Sequence, residues 1–203
     1  MTEDIKDVNN ALTLNATMGN LKGVEYLLEN GADINAKDNG GDTALICASS
    51  MGRFEIVQYL VEVGKGKNLN LNIEDKKGNT ALMQALKRGK LDIVEYLIEK
   101  GADIYTKDND EITTLMSASS IGSLKIVKCL LEKNLDINAK DNNGLTALMW
   151  ASISSNNLEI VKYLIEKDIC INAKGYNGNT ALIIASMNSV IKVVEYLIKN
   201  KAD

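Results

Sequence analysis

The stretch Asp141-Asn-Asn-Gly-Leu-Thr-Ala-Leu-Met-Trp-Ala-Ser152 leads through a polar turn into Leu158-Glu-Ile-Val-Lys-Tyr-Leu-Ile-Glu-Lys167 and then Asp168-Ile-Cys-Ile-Asn-Ala-Lys174. Its triplet Thr-Ala-Leu, which starts at Thr146, has relatives that start at Asn10, Thr43, Thr80, Thr113 and Thr180. Successive triplets are separated by 33, 37, 33, 33 and 34 residues. A sustained period near 33 is typical of stacked supersecondary units, so the chain is expected to be a repeat array.

Each repeat has the pattern of two short helices joined by a turn. A cluster of Asp, Asn and Gly, such as residues 38–42, precedes the threonine and predicts a tight turn that feeds a helix N-cap. Small and apolar residues after Thr43 predict a short first helix, and the apolar residues between Phe54 and Val61 recur at helical spacing in a second one. One such pair cannot bury its apolar face alone. We therefore expect an all-α solenoid of stacked helix-turn-helix units with protruding turns.

The recurring motif Thr-Ala-Leu-x-x-Ala, followed by Leu-x-Ile-Val-x-Tyr-Leu-Ile-Glu-x-Gly-Ala-Asp-Ile-Asn, resembles the ankyrin repeat from Asn10 to Asp203. The resemblance implies an ankyrin-repeat solenoid that serves as a protein-binding scaffold. The family pattern is T-P-L-H-x-A, and the copies depart from it at two positions. Its proline is replaced at Ala44, Ala81, Thr114, Ala147 and Ala181, and its histidine at Ile46, Met83, Met116, Met149 and Ile183. We expect apolar contacts between repeats where the family has a histidine hydrogen bond.

This register divides the chain into six repeats within a single ankyrin-repeat domain spanning 1–203. Their approximate bounds are 10–42, 43–79, 80–112, 113–145, 146–179 and 180–203. Residues 1–9 lack the pattern and are expected to form a partial cap. The first repeat is polar inside, at Thr13 and Asn15, and Gly23 is expected to interrupt its second helix. This end is therefore expected to unfold first.

Composition and charge argue against several classes of function. The net charge of -4 is mild, so electrostatics recruit neither nucleic acid nor an anionic membrane. The amino-terminal residues are polar and acidic, and no stretch is long and apolar enough to span a bilayer. Provided that the gene starts at Met1, an intracellular, cytoplasmic protein is expected.

Catalytic and metal-binding chemistry has little support in these residues. The chain has no histidine, and Cys47, Cys129 and Cys170 lie at three different places in the repeat with no paired spacing. Reduced, half-buried thiols are expected, with no metal site and no cofactor. The glycine-rich stretch 64–70 lacks the Gly-Lys-Ser/Thr of a phosphate loop and predicts a lengthened connector. We expect no enzyme activity; the alternative is that the array is the targeting or regulatory arm of a longer enzyme or effector.

The ankyrin resemblance implies that partners bind along a concave face, at the turn tips and at the end of each first helix. Carried onto this chain, the candidate partner-binding residues are Asn39, Asp42, Met51, Lys76, Lys77, Asn79, Lys87, Arg88, Asn109, Asp110, Ile112, Ser120, Ile121, Asn142, Asn143, Leu145, Ile153, Tyr176, Asn177 and Met187. The set from the third repeat is basic, whereas the last three repeats offer apolar side chains among amides. This contrast predicts a protein partner with an acidic segment against the third repeat and an apolar part against the last three. The alternative is that the basic side chains are merely solvated.

Two further features bear on interaction. Trp150 stands where the family usually has a core residue, so packing is expected, with an exposed binding anchor as the alternative. The sixth repeat is as apolar as the internal copies, at Ile183, Ile184, Val190, Ile191, Val193 and Val194. A terminal repeat usually has a polar outer face. We therefore expect either a fragment of a longer array or self-association through the carboxyl-terminal repeat.

Overall fold

The computed structural model describes the backbone of residues 2–203 and the side chains of residues 8–203. The chain consists of two compact units, which divide after Ile104. Across the described residues there are twelve α-helices and one 3₁₀ turn, with no strand beyond a single bridge between Lys107 and Thr113. The predicted all-α fold is confirmed, whereas a single domain over 1–203 stays a prediction.

Three helix pairs build the first unit. They are α1 (Thr2–Met18) with α2 (Leu21–Glu29), α3 (Ala44–Met51) with α4 (Phe54–Gly64), and α5 (Ala81–Lys87) with α6 (Leu91–Glu99). Helices α1, α3 and α5 pack side by side as one layer, and α2, α4 and α6 pack as a second layer against it. The motif leucines Leu12, Leu45 and Leu82 lie between the layers and are at most 2% exposed.

The second unit repeats this arrangement. Its helices are α7 (Thr114–Ile121) with α8 (Leu124–Leu131), α9 (Ala147–Ala151) with α10 (Leu158–Glu166), and α11 (Ala181–Met187) with α12 (Ile191–Lys199). Helices α7, α9 and α11 form one layer, and α8, α10 and α12 form the other. The one-residue insertion of the fifth repeat lies where α9 ends early and the 3₁₀ turn Ser155–Asn157 leads into α10. The predicted helix-turn-helix repeats are confirmed in both units.

The motif threonines begin the first helices, as predicted, with one exception. The hydroxyls of Thr43, Thr80, Thr113 and Thr180 accept hydrogen bonds from the backbone N–H three residues later, at 3.2, 3.3, 3.2 and 3.4 Å. Thr146 precedes α9, but its hydroxyl makes no capping bond and is buried without a partner. The start of α9 therefore depends on the preceding turn, in which Asp141 accepts two backbone hydrogen bonds.

The amino-terminal repeat corrects two expectations. Residues 2–9 are the first turns of α1 and not a separate cap; residue 1 and the side chains of residues 1–7 lie outside the described part of the chain. Gly23 does not interrupt α2, which runs through it unbroken. A Cβ on Gly23 would clash with Asn15 Oδ1 and lie 2.6 Å from Asn20 Nδ2, so the glycine is needed for close packing of these amides. That this repeat unfolds first stays a prediction.

Apolar side chains fill the positions of the family's histidine. Ile46, Met83, Met116 and Met149 are at most 2% exposed. The expected apolar packing is therefore confirmed in these four repeats. In the sixth repeat the equivalent Ile183 is 41% exposed.

Candidate protein-interaction surface

Four aspartates, each five residues before a motif threonine, organise the turns that project from the repeats. In each turn the Oδ1 atom of the aspartate accepts hydrogen bonds from the backbone N–H groups two and four residues later, at 2.7 to 3.0 Å. The aspartates are Asp38, Asp75, Asp108 and Asp141. The turn residues after each aspartate, the corresponding residues after Gly175 in the sixth repeat, and the last residues of the first helices form what we call the tip surface. In the four aspartate turns its backbone is fixed by these bonds, so binding there requires little ordering.

The second carboxylate oxygen of two turn aspartates accepts a side chain from the first helix. Gln84 Nε2 donates to Asp75 Oδ2 at 2.8 Å, and Trp150 Nε1 donates to Asp141 Oδ2 at 3.1 Å. Both donors stand four residues after the motif threonine. Trp150 is therefore neither a fully buried core residue nor a free anchor, because it is half-buried and holds its own turn.

The second repeat lacks the donors that the third repeat has. Asp42 stands where the third repeat has Asn79, whose Nδ2 donates to both oxygens of Asp75 at 3.1 and 3.0 Å. Cys47 stands where the third repeat has Gln84. Among the described residues, neither Asp38 Oδ2 nor the Asp42 carboxylate accepts a hydrogen bond. Asp38 Oδ2 and the Asp42 carboxylate thus receive no N–H donor from the described residues, whereas Asp38 Oδ1 accepts two backbone N–H groups.

The charge of Asp42 is unfavourable in the folded chain. Partial burial, together with repulsion from Asp38 and Asp75, raises the pKa of the Asp42 carboxyl. A raised folded pKa means that the contribution of this group to stability is greatest below its unfolded pKa and is lost as pH rises through the folded pKa. Near neutral pH, Asp42 therefore destabilises the fold.

Asp38, Asp42 and Cys47 are also the described side chains that come nearest to a metal-ligand set. Their ligand atoms lie within 4.8 Å of one another. Burial raises the pKa of the Cys47 thiol to about 11; a hydrogen bond with Thr17 opposes this shift, and the negative charges of Asp42 and Asp38 add to it. A protonated thiol beside two hard oxygen ligands fits no common metal well. The expected absence of a metal stays a prediction.

These residues line two cavities that share Thr17 and Asp38 and together form what we call the unit-one groove. One cavity, of about 300 Å³, is lined by Asp42, Cys47, Met51, Gln84 and Arg88 among others. The other, of about 380 Å³, is lined by Leu14, Asn39 and Gly40 among others. Leu14 is 58% exposed and Met51 48%. The groove therefore combines apolar side chains with the carboxylates of Asp38 and Asp42 and the guanidinium of Arg88.

The predicted basic residues of the third repeat lie on the exposed surface of the same unit. Lys76 Nζ donates to the carbonyl oxygen of Asn39, and Lys87 Nζ donates to Asn79 Oδ1, both at 2.6 Å. The side chains of Lys77 and Arg88 form no ion pair with any described residue. Asn79 itself is 2% exposed, which makes it a support for Lys87 and a poor candidate for direct contact. The best-placed cations are thus Lys77 and Arg88.

The apolar tip residues of the second unit divide into two groups. Ile112, Ile121 and Leu145 are half-buried, whereas Ile153 is 40% exposed and Tyr176 and Met187 are each 73% exposed. The amides Asn109, Asn142, Asn143 and Asn177 are exposed, as is Asp110, and Ser120 is half-buried. Asn142 N–H donates to the Asp110 carbonyl at 2.9 Å, and Tyr176 N–H to that of Asn143 at 3.0 Å, so successive tips are linked.

The outer face of the sixth repeat is open. Ile183, Ile191 and Ile198 are 41%, 67% and 59% exposed, whereas Val190 and Val193 are buried. Ile184 and Val194 are half-buried. Ser186 is exposed as well, although its equivalents Ser119 and Ser152 in the same unit are fully buried. Part of the predicted apolar face is therefore uncovered in the chain alone.

The cysteines agree with expectation in two cases of three. All three are free thiols, and Cys47 and Cys129 are half-buried. Cys170 is exposed, contrary to the prediction, because it follows α10 in the loop. Its backbone N–H donates to Asn138 Oδ1 at 2.8 Å and its carbonyl oxygen accepts from Ala173 N–H at 3.2 Å.

Sequence reasoning missed the unit-one groove. A position-by-position comparison of the second and third repeats reveals it. Asp42 stands where the third repeat has Asn79, and Cys47 where it has Gln84, so the turn of the second repeat lacks two N–H donors. Asp42 was included among the binding candidates, but for its place in the turn and not for its unpaired charge.

Comparison with known families adds one finding. The family model described as ankyrin repeats (3 copies) matches residues 12–108 and again residues 115–203. No helix in the described part of the chain is both long and apolar enough to cross a bilayer. The predictions of a cytoplasmic location and of an arm of a longer enzyme stay predictions.

Proposed function

This chain belongs to the ankyrin-repeat family, and on that premise we propose that it binds a partner protein through the tip surfaces of its two units. Ankyrin repeats generally mediate protein–protein interaction, and proteins built from them are typically interaction modules without enzymatic activity. The single observation that carries the proposal is a tip surface whose backbone is fixed by aspartate hydrogen bonds in four of its turns, while charged and apolar side chains on it remain exposed.

In the first unit the tip surface suits an acidic segment at the third repeat. Lys77 and Arg88 are exposed and form no ion pair with a described residue, so an incoming carboxylate breaks no existing bridge. Lys76 and Lys87 add positive charge and are held in place by neutral oxygens. Such rim charges contribute to association rate and specificity more than to the final affinity.

In the second unit the tip surface suits an apolar part of the partner. Tyr176 and Met187 are each 73% exposed, and Ile153 is 40% exposed. Tyrosine is enriched at binding hot spots, and methionine adapts its shape to a partner. The exposed amides around them supply hydrogen bonds at the rim of such a contact.

Reversing two charges tests the first-unit contact. We expect the Lys77→Glu, Arg88→Glu double variant to bind acidic peptides about tenfold more weakly than the original chain, with a shallower dependence of affinity on salt. The peptides are 12-residue binders selected from a random display library on the full chain, and affinity is measured by titration. The Lys22→Glu, Lys65→Glu variant carries the same change in net charge on exposed residues of the same unit and is the matched control. Equal affinities for both variants would contradict the proposal.

A second candidate function is self-association, favoured by the open outer face of the sixth repeat. We propose that a second copy of the chain covers this face. In the same unit, Met116 and Met149 occupy the position of Ile183 and are 1% exposed because the next repeat packs on them. The face of the sixth repeat thus has the composition of an inter-repeat contact.

Sedimentation velocity over a concentration series tests the self-association. We expect the original chain to associate as concentration rises, and Ile183→Glu to stay monomeric because a charge cannot be buried unpaired. Leu91→Glu is the matched control, since Leu91 is 39% exposed in the first unit and Ile183 is 41% exposed. A chain that is monomeric at every concentration would rule the contact out.

A further inference from the structure

We propose that Asn177, on the tip surface of the second unit, is a site of spontaneous modification: its side-chain amide reacts with the backbone nitrogen of Gly178 and becomes a carboxylate. The inference goes beyond the proposed binding function and does not depend on it. The reaction needs no catalyst, and water is its one co-reactant. A chain that has aged therefore carries a negative charge on this surface where a newly made chain carries a neutral amide.

The chemistry requires an asparagine whose neighbour has no side chain. The Gly178 nitrogen forms a bond to Cγ of Asn177 and loses its proton, and the amide nitrogen of Asn177 takes up a proton and leaves as ammonia. Water then opens the resulting succinimide ring at either carbonyl, which gives aspartate or isoaspartate. Glycine leaves the attacking nitrogen unhindered and allows the backbone to rotate into the required conformation.

The sequence contains four Asn-Gly pairs, which begin at Asn30, Asn39, Asn143 and Asn177. Two of them are held by a hydrogen bond of a reacting group. Asn30 Nδ2 donates to the carbonyl oxygen of Tyr26 at 2.7 Å, which holds the amide. Gly40 N–H donates to Asp38 Oδ1 at 2.7 Å, which holds the attacking nitrogen. In both pairs the reaction has to break a hydrogen bond to a group close in sequence.

The other two pairs hold the same place in the fifth and sixth repeats, and only the fifth repeat secures its turn with a side chain. Gly144 N–H donates to the carbonyl oxygen three residues earlier at 2.8 Å, and Gly178 N–H does the same at 2.9 Å. In the fifth repeat, Asp141 Oδ1 also accepts two backbone N–H groups, at 2.8 and 2.9 Å. The sixth repeat has Gly175 at that position and therefore lacks both of these bonds.

The fifth-repeat pair is also covered, whereas the sixth-repeat pair is open. Gly144 is buried, and a Cβ on it would lie 2.9 Å from the backbone nitrogen of Tyr176 in the next turn. Gly178 is exposed, and a Cβ on it would meet open space. Asn177 is exposed as well, and its side chain forms no hydrogen bond with a described residue. The folded chain thus leaves the reacting groups accessible to water and free to rearrange at Asn177.

The rates of conversion in one sample of the chain provide the test. The chain is kept near neutral pH, and peptides that contain each pair are examined over time by mass spectrometry, which detects the exchange of an amide for a carboxyl. We expect Asn177 to convert about tenfold faster than Asn143, because two further hydrogen bonds have to open at Asn143. In urea, where neither turn is formed, we expect the two rates to be similar.

One substitution gives the open turn the carboxylate that it lacks. We expect Gly175→Asp to slow conversion at Asn177 about tenfold and to leave the rate at Asn39 unchanged. A Cβ on Gly175 would lie 3.2 Å from Leu145 Cδ2, the flexible end of a side chain, and circular dichroism checks that the variant is folded. Asn177→Gln is the control for the assignment, since its longer side chain does not form the same ring and its peptide should remain unconverted.

Fast conversion at Asn177 that Gly175→Asp slows would support the proposal. Equal rates at Asn177 and Asn143 in the folded chain would overturn it. A difference that persists undiminished in urea would overturn it too, because it would then come from the neighbouring residues and not from the fold. Both of these comparisons use the original chain, so they hold even if Gly175→Asp does not fold. An unchanged rate in folded Gly175→Asp would overturn the role assigned to the missing carboxylate.

Discussion

Replacing Asp141 with alanine is expected to destabilise the second unit by about 4 kcal/mol, because one carboxylate satisfies three donors there. Its Oδ1 accepts the N–H groups of Asn143 and Leu145 at 2.8 and 2.9 Å, and its Oδ2 accepts Nε1 of Trp150 at 3.1 Å. Asp141 is 3% exposed, so water cannot fully replace these bonds. The fifth repeat depends on this aspartate more than the others do, since Thr146 makes no capping bond.

The measurement uses the single tryptophan of the chain. Urea unfolding followed by Trp150 fluorescence reports on the second unit, and circular dichroism reports on all helices. Asp141→Asn is the control: its carbonyl oxygen still accepts the two backbone N–H groups, but its amide cannot also accept from the indole. We expect Asp141→Asn to lower the free energy of unfolding, but by less than Asp141→Ala does. If alanine and asparagine cost the same, the indole bond and not the turn determines the effect.

Much of the fold could be predicted because it depends on local chemistry repeated six times. The period, the helix bounds near the motif threonines and the aspartate turns all follow from residues close together in the chain. Gly23 was misjudged for the opposite reason. Its effect on α2 depends on Asn15, which approaches it from the preceding helix, and no local propensity contains that contact.

The sequence predicted where the candidate surface lies better than it predicted which side chains on it are exposed and how they are hydrogen-bonded. The turn tips and first-helix ends are where Lys77, Arg88, Tyr176 and Met187 are exposed. Asn79 is buried because it bonds to a carboxylate four residues earlier, a contact that its place in the turn does not reveal. The two neighbouring carboxylates of the second repeat were missed because each looks ordinary alone, and only the comparison with Asn79 and Gln84 of the third repeat distinguishes them.

A pair of equivalent leucines measures how well the outer face of the sixth repeat is covered. Leu148 and Leu182 hold the same place in the fifth and sixth repeats; Leu148 is fully buried and Leu182 is half-buried. We expect Leu148→Ala to cost about 3 to 4 kcal/mol, as a cavity in a closed core does, and Leu182→Ala about 1 to 2 kcal/mol, because solvent and neighbouring side chains relax around it.

Repeating both measurements over a concentration series makes the pair a test of what covers the face. If a second copy packs on the sixth repeat, the cost of Leu182→Ala rises with protein concentration while that of Leu148→Ala stays constant, because only the associated state closes the cavity. Circular dichroism provides the readout, since it reports on the helices of both repeats. Equal costs at the lowest concentration would show that the sixth repeat closes its own core, and the 41% exposure of Ile183 would then have no energetic consequence.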